Sequence, residues 1–368
     1  MPDRSRDESS LAPAHDELPV REELRGERPY GAPQLDVPVR LNVNENPYPP
    51  SAAVVADMAA AAARACAGLN RYPDREAVAL RADLAAYLGH GLTADQVWAA
   101  NGSNEVMAQL LSAFGGPGRT AMSFAPTYSM YPEYARDTHT AWAAGRRADD
   151  FTIELPAALG EIAARRPDVV FLASPNNPTG TALALADIAA ICAAAPGIVV
   201  VDEAYAEFAR PGAPSALSLL ASHPRLAVTR TMSKAFAFAG GRLGYLAASA
   251  EFVDALRVVR LPYHLSALTQ AVARVALAHA EEMLGNVAQL RAERDATIDW
   301  LRAAGLVAAD SDANFVLFGV FADRHAIWQG LLDRGVLIRE TGPDGWLRVC
   351  MGTPGEMAAF RAALKELL

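Results

Sequence analysis

The sequence predicts an α/β protein with a large domain, built on a mostly parallel central sheet flanked by helices, and a smaller α+β domain. Its 368 residues exceed what one hydrophobic core usually holds. Short apolar runs rich in β-branched residues alternate with alanine-rich stretches of helical period, a pattern typical of parallel strands joined by crossover helices. Polar segments directly follow three of these runs, as in sheets that bind a ligand at one edge.

Four apolar runs are the predicted strands of the large sheet, because each is short enough for a strand that is buried on both faces. They cover residues 168–173, 198–201, 226–229 and 245–248. The polar segments after the first three are SPNNPTG from Ser174, DEAY from Asp202 and RTMSK from Arg230. Since the carboxyl ends of parallel strands lie at one edge, we expect these segments to share a crevice.

The C-terminal third predicts the smaller domain. Residues 266–306 favour one long helix or two, with no turn signal that fixes a break, and we expect them to link the domains. A strand at 314–320, a helix at 322–333 and strands at 336–339 and 346–351 follow. Thr353 and Glu356 form a capping box for a last helix, with Pro354 at its first position. The predicted division is a flexible tail at 1–22, a large cofactor-binding domain at 48–264, and a small domain from 23–47 plus 265–368.

Composition argues against several classes of function. The net charge of -9 disfavours binding to nucleic acid or to an anionic membrane surface. The three cysteines, Cys66, Cys192 and Cys350, lack the spacing of a disulfide framework or a zinc site, so we expect reduced core residues and no metal. Residues 1–19 lack the apolar stretch of a signal peptide, and no later segment is long and apolar enough to span a bilayer. We therefore expect a cytoplasmic protein.

Lys234 is the candidate catalytic residue. A single lysine after a strand is usually a surface group, but this one is followed by the apolar run AFAFAGG. Apolar surroundings lower the pKa of an ammonium group and favour the neutral amine that attacks an aldehyde. Ser233 and Arg242 are positioned in the sequence to bind a phosphate on the same ligand.

Asp202 ends the run IVVV, where a partly buried carboxylate needs a cationic partner. The ring nitrogen of pyridoxal phosphate is such a partner, and an ionised aspartate would keep it protonated. The alternative is an aspartate that caps the following helix. Asn177 and Tyr205 can hydrogen-bond the ring oxygen of the same cofactor, although SPNNPTG can also be simply a turn.

Four further residues are candidates with an open alternative each. The loop that opens a helix at Ser103 can bind a phosphate with free backbone N–H groups, or Ser103 can be only the N-cap. The ring of Tyr128 can stack on a pyridine or belong to the core. Arg339 and Arg348, in predicted C-terminal strands, can anchor an anionic substrate or pair with surface acids.

Together these motifs resemble the histidinol-phosphate aminotransferase family of fold-type I, pyridoxal-phosphate-dependent aminotransferases. The resemblance covers nearly everything after the tail, in order. Its motifs are LNVNENPYPPS from Leu41, RYPD from Arg71, NGSNE from Asn101, APTYSMYPEYAR from Ala125, SPNNPTG from Ser174, VVDEAYAEF from Val200, TRTMSKAFAFAGGRLGY from Thr229, ANFVLF from Ala313, GVLIRETG from Gly335 and WLRVCMGTP from Trp346.

The resemblance implies a role for each candidate residue. Lys234 would carry the cofactor as a Schiff base and move the substrate proton, with Asp202 on the ring nitrogen and Asn177 and Tyr205 on the ring oxygen. The remaining cofactor-binding residues would be Ser103, Asn104, Tyr128, Thr231, Ser233 and Arg242, with Tyr72 reaching the neighbouring subunit of a homodimer. The substrate-binding residues would be Arg339, Arg348, Tyr30 and Asn44.

The implied activity is ping-pong transfer of an amino group between L-histidinol phosphate and 2-oxoglutarate in histidine biosynthesis, which gives imidazole acetol phosphate and L-glutamate. Two enzyme alternatives share the motifs: an aromatic amino acid aminotransferase and a decarboxylase of phosphorylated amino acids. A non-catalytic regulator of the same fold is disfavoured, because no helix-turn-helix domain precedes the core and the lysine is present.

Overall fold

The computed structural model describes residues 18–368, in two units that divide after Gln34. Most of the predicted tail at 1–22 lies outside the described residues. The first unit contains a 3-10 turn at Glu22–Leu24. The second unit, Leu35–Leu368, holds all the helices and strands given below.

Helices occupy much of the second unit, and serine side chains start several of them. Ser51, Ser249 and Ser266 each accept a hydrogen bond from the third backbone N–H of the helix that follows. The helices of the described chain are α1 Ala52–Cys66, α2 Val78–Leu88, α3 Ser103–Phe114, α4 Met130–Asp137, α5 Leu155–Arg165, α6 Leu185–Ala194, α7 Ala250–Val259, α8 Ala267–Ala278, α9 Ala280–Met283, α10 Val287–Ala303, α11 Arg324–Asp333 and α12 Pro354–Lys365.

The strands form three sheets. In chain order they are β1 Val39–Arg40, β2 Val97–Ala100, β3 Thr120–Ala125, β4 Ala141–Arg146, β5 Val169–Ala173, β6 Ile198–Asp202, β7 Leu226–Thr231, β8 Gly244–Ala247, β9 Val307–Ala308, β10 Phe315–Gly319, β11 Val336–Leu337 and β12 Leu347–Cys350. The large sheet has the order β2-β8-β7-β6-β5-β3-β4, and β8 alone runs against its neighbours. The predicted mostly parallel sheet is therefore confirmed.

The large sheet is buried on both faces, as its continuous apolar runs predict. Along β5, Val170 and Leu172 pack in a core cluster with α1, α2 and α8, whereas Val169 and Phe171 pack in a second cluster with α3, α4 and α7. The strands β5, β6 and β7 are adjacent and parallel, with Ala173 opposite Asp202 and Asp202 opposite Thr229. This register places the ends of the three strands side by side.

The C-terminal segment builds its own core around the antiparallel sheet β9-β10-β12, where Phe315, Phe318 and Phe360 are fully buried. The last helix has the predicted capping box of Thr353 and Glu356. β1 pairs in parallel with β11, so the segment after Leu35 adds a strand to the C-terminal part of the chain. This pairing supports the predicted small domain, whose full boundaries stay a prediction.

Three sequence expectations need correction. Residues 266–306 form three helices, because the chain breaks after α8 and again around Gly285. Residues of α8 pack in the core of the large sheet and residues of α10 in the C-terminal core, and the expected link between domains stays a prediction. The predicted strand at 336–339 ends at Leu337, and Arg339 joins only an isolated bridge to Arg348. Cys66 is exposed, whereas Cys192 and Cys350 are buried as expected. No helix within residues 18–368 has the length and apolar character needed to cross a membrane.

Candidate active site

Three polar segments meet at the carboxyl ends of β5, β6 and β7, as the sequence predicts. Asp202 ends β6, and Lys234 follows β7 by three residues. Asn177 follows β5 and accepts a hydrogen bond from Arg348, which belongs to the antiparallel sheet. The site is therefore assembled where the large parallel sheet faces the C-terminal sheet.

Asp202 is buried, and both of its carboxylate oxygens accept hydrogen bonds. Tyr131 Oη donates to Oδ2 over 2.8 Å, and Thr229 Oγ1 and the Ala204 amide donate to Oδ1 over 3.1 and 3.3 Å. Burial raises the pKa of the Asp202 carboxyl, and these three hydrogen bonds oppose the rise. A buried carboxylate held in this way is suited to bind a cation.

Asp202 is not a helix cap, so that alternative is wrong. The next helical turn, Ala206–Phe208, begins after Tyr205 and has no side-chain cap. The Asp202 side chain on β6 instead accepts a hydrogen bond from Thr229 on the neighbouring strand β7.

Lys234 is half-buried, and its ammonium donates to the Val43 carbonyl over 2.9 Å. Burial lowers the pKa of Lys234 to about 8; Cys350 opposes this effect and the positive charge of Arg348 adds to it. More of the amine is therefore neutral near pH 7 than in an ordinary lysine, and the neutral form is the one that attacks a carbonyl carbon.

Tyr205 and Asn44 are linked at the buried side of the site. Asn44 Nδ2 donates to Tyr205 Oη over 2.8 Å, and the Cys350 thiol donates to Asn44 Oδ1 over 2.8 Å. Burial raises the pKa of Tyr205 to about 12, so its hydroxyl stays protonated and can donate a hydrogen bond. The structure thus brings Asn44 into the site, but its side chain binds Tyr205 and Cys350.

Arg348 and Arg339 lie opposite each other across an antiparallel bridge. The Arg348 guanidinium is buried, lies 5.1 Å from the ring centroid of Phe315, and donates to Asn177 Oδ1 and the Asn42 carbonyl. Its Nε is buried without a hydrogen-bond partner in the described chain. The alternative of a surface arginine paired with an acid is therefore wrong for Arg348.

The start of α3, Ser233 and Arg242 lie together at one corner of the site. Ser103 is the first residue of α3 and Gly102 precedes it, so the interpretation of Ser103 as the N-cap is wrong. A Cβ on Gly102 would overlap the Arg242 guanidinium, and Arg242 Nη1 lies 3.5 Å from Ser233 Oγ. The arginine is thus held beside the free N–H groups of a helix start, which is an arrangement suited to a phosphate.

The other cofactor candidates surround this corner. Thr231 is buried and accepts a hydrogen bond from the Ser233 amide over 3.1 Å. Tyr128 is half-buried, and its hydroxyl lies 3.5 Å from Asn104 Oδ1. Tyr128 also packs against the core cluster that contains Tyr131, so both the stacking role and the core alternative stay open.

One candidate of the second unit, Tyr72, is not brought to this site. Tyr72 is 79% exposed and stacks on Tyr263, with ring centroids 4.3 Å apart. Tyr30 is 50% exposed and belongs to the separate N-terminal unit. Their predicted roles stay predictions.

Sequence reasoning missed Tyr131 and Cys350. Tyr131 lies three residues after the candidate Tyr128 in APTYSMY. Residues three apart lie on the same face of a helix, so this spacing could have indicated that Tyr131 also lies near the site. Cys350 carried no such signal, because its contact with Asn44 spans 306 residues.

Comparison with known proteins agrees with this geometry. Residues 37–364 match the family model described as aminotransferase class I and II. A histidinol-phosphate aminotransferase of Thermobifida fusca is 64% identical over 349 residues, covering 95% of each chain. Histidinol-phosphate aminotransferase 3 of Burkholderia lata is 62% identical over 361 residues, covering 97% of this chain and 98% of the relative.

The fold is also that of solved proteins. The histidinol-phosphate aminotransferase of Sinorhizobium meliloti, solved in complex with pyridoxal-5'-phosphate, has a TM-score of 0.80 at 24% identity, covering 90% of this chain and 92% of the other. The predicted fold-type I architecture is therefore confirmed. The family match over most of the chain and the two high-identity relatives show that this chain belongs to the aminotransferase class I and II family.

Proposed function

We propose that the protein is a pyridoxal-phosphate-dependent aminotransferase that moves an amino group between L-histidinol phosphate and 2-oxoglutarate. The observation that carries the proposal is the convergence of Lys234, Asp202 and Arg348, an amine of lowered pKa, a buried carboxylate and a buried guanidinium. The names of the relatives that are 62% and 64% identical supply the substrate.

The described side chains fit pyridoxal phosphate in charge and placement. Asp202 has no cationic partner among the described residues and would hold the ring nitrogen. Tyr205 and Nδ2 of Asn177 have donors suited to the ring oxygen. The amides at Ser103 and the side chains of Ser233 and Arg242 would hold the phosphate.

Lys234 is the residue that would move the proton in the reaction. When bound, pyridoxal phosphate supplies an aldehyde for the amino group and a ring that withdraws electrons from the substrate carbon. The neutral Nζ of Lys234 would take the proton from that carbon, and the resulting ammonium would deliver it to the cofactor carbon in the same half-reaction; the second half-reaction would use the same two steps in reverse. Ionised Asp202 would keep the ring nitrogen positively charged throughout, and this charge would stabilise the negative charge that develops on the substrate carbon.

Arg348 and Arg339 would bind the anionic end of each substrate in turn. Glutamate offers a carboxylate and histidinol phosphate a phosphate, and a guanidinium binds both with paired hydrogen bonds. One pair of arginines can therefore serve both half-reactions. This explains how a single site accepts two amino donors of different shape.

A homodimer is part of the proposal. The rings of Tyr72 and Tyr263 stack on each other, and three exposed apolar residues lie within five positions of them in the chain: Leu69, Val258 and Leu261, between 53% and 85% exposed. Such a group is typical of a surface that another chain covers. We propose that Tyr72 reaches the neighbouring site from this surface, and that the enzyme acts in the cytoplasm.

The proposed function is tested by a half-reaction panel on the purified, cofactor-loaded protein. Histidinol phosphate and glutamate are each expected to convert the bound cofactor to pyridoxamine phosphate, which is followed by absorbance. Conversion by phenylalanine or tyrosine but not by histidinol phosphate would show that the protein is an aromatic amino acid aminotransferase instead. Release of carbon dioxide from a phosphorylated amino acid would show that the protein is a decarboxylase and not an aminotransferase.

Cofactor capture is expected to depend on pH through Lys234. Because the pKa of Lys234 is lowered to about 8, the neutral amine is scarce at pH 6 and dominant above pH 9. The rate at which cofactor-free protein binds pyridoxal phosphate covalently should rise about tenfold per pH unit below 8 and level off above it. Stopped-flow absorbance measures the rate. A rate that continues to rise up to pH 10 would show that the pKa of Lys234 is that of an ordinary lysine.

Substitution of Arg348 by glutamine is expected to lower kcat/KM for both glutamate and histidinol phosphate by about 10- to 100-fold, because charge-assisted hydrogen bonds to the substrate anion are lost. Steady-state kinetics with each donor measure the effect. Arg302→Gln is the control, since Arg302 lies on α10 and pairs with the exposed Asp310. Equal kinetics in the Arg348 variant and the control would show that Arg348 does not bind the substrate.

A further inference from the structure

Tyr131 occupies a fixed position behind the carboxylate of Asp202. It lies in the first turn of α4 and is fully buried. Its ring stacks on Phe171 of β5, with centroids 4.7 Å apart and an angle of 9°, and meets the ring of Tyr128 edge-on at 5.4 Å. These contacts on two sides fix the direction of the phenol hydroxyl.

The hydroxyl of Tyr131 donates a hydrogen bond to the carboxylate of Asp202. It donates to Oδ2 over 2.8 Å, whereas Thr229 and the Ala204 amide both donate to Oδ1. The two oxygens are thus held from different elements, Oδ2 from α4 and Oδ1 from β7 and the loop after β6. This division fixes the plane of the carboxylate.

We propose that Tyr131 is a positioning residue that holds Asp202 ionised and oriented for the ring nitrogen of the cofactor. The inference rests on the proposed function, since it concerns how the same site recognises its cofactor. Tyr131 itself acts only through Asp202.

The physical reason is the unfavourable environment of the Asp202 charge. The carboxylate is buried, and the neighbouring Glu203 carries a charge of the same sign. Burial disfavours the ionised form, and a hydrogen bond from Tyr131 to that form opposes this effect. Without the hydroxyl, Asp202 would hold a proton more often and would bind a positively charged ring less well.

A purely structural role for Tyr131 predicts a different result. Phenylalanine keeps the stacking on Phe171 and loses only the hydroxyl, so a packing residue would change stability and leave ring recognition intact. The two roles are separated by ligands that differ at the ring nitrogen alone.

The test measures the affinity of full-length, cofactor-free protein for two ligands that cannot react with Lys234. One is pyridoxine 5'-phosphate, and the other is its analogue with carbon in place of the ring nitrogen. Tyr131→Phe is expected to weaken binding of the first about tenfold, as for loss of one hydrogen bond to a charged group. Binding of the analogue should stay within about twofold of wild type, because it has no nitrogen for Asp202 to contact.

Tyr245→Phe is the matched control, because it removes a fully buried hydroxyl that has no hydrogen-bond partner in the described chain. It should leave both affinities unchanged. An equal loss for both ligands in Tyr131→Phe, or no loss for either, would overturn the inference. If the wild-type protein prefers the nitrogen-containing ring, the proposed cofactor stands whatever the variant does. If the wild type binds neither ligand, the proposed function fails and the inference fails with it.

Discussion

Replacement of Lys234 by alanine is expected to lower the rate of transamination by about 10⁴-fold, the upper range for loss of a general acid–base group. The variant loses both the amine that attaches the cofactor and the group that moves the substrate proton. Single-turnover conversion of the cofactor by glutamate measures the chemical step without product release. A variant within tenfold of wild type would contradict every enzymatic role proposed for this lysine.

The chain offers an unusually direct control for this prediction. Lys234 shares the sequence with one other lysine, Lys365, which is exposed in the last turn of α12. Lys365→Ala should keep wild-type activity. Borohydride reduction of the loaded protein, followed by peptide mass mapping, should find the cofactor on the Lys234 peptide and not on that of Lys365.

The central part of the site was predictable because it depends on local sequence. Asp202 ends one apolar run and Lys234 follows another, both runs are short enough to favour a buried strand, and adjacent parallel strands bring their ends together. The capping box at Thr353 was predictable for the same reason, since its partner lies three residues away. In each case, the interacting groups are close in the chain or the topology follows from short-range patterns.

The remaining contacts depend on the assembled fold. Arg348 lies 171 residues from Asn177, and Tyr131 lies 71 residues from Asp202. No local pattern reports such distances, so sequence reasoning proposed an arginine and an asparagine but not their pairing. The break near Gly285 was also missed, because alanine-rich sequence on both sides favours a continuous helix and tertiary packing decides where the chain turns.

Replacement of Asp202 by asparagine is expected to lower kcat by about 10³-fold, as for loss of a preorganised electrostatic contact in an active site. Asparagine has nearly the same size, but it is neutral and cannot hold the ring nitrogen of the cofactor in its protonated form. The absorbance of the bound cofactor should shift in parallel, because its protonation state changes. Asp310→Asn is the control, since Asp310 is an exposed carboxylate that pairs with Arg302.

The same substitution should not destabilise the cofactor-free protein at neutral pH. The pKa of Asp202 is raised by burial, so its contribution to stability is fully present below the ordinary pKa of aspartate and is lost as pH rises through the raised value. At pH 7 the ionised carboxylate therefore costs stability, and a neutral amide removes that cost. Thermal unfolding of the Asp202→Asn protein without cofactor should give a Tm equal to or above that of wild type at pH 7, with the difference shrinking toward pH 4. A clearly lower Tm at pH 7 would mean that the ionised carboxylate stabilises the fold, and that Asp202 is a structural residue before it is a cofactor-binding one.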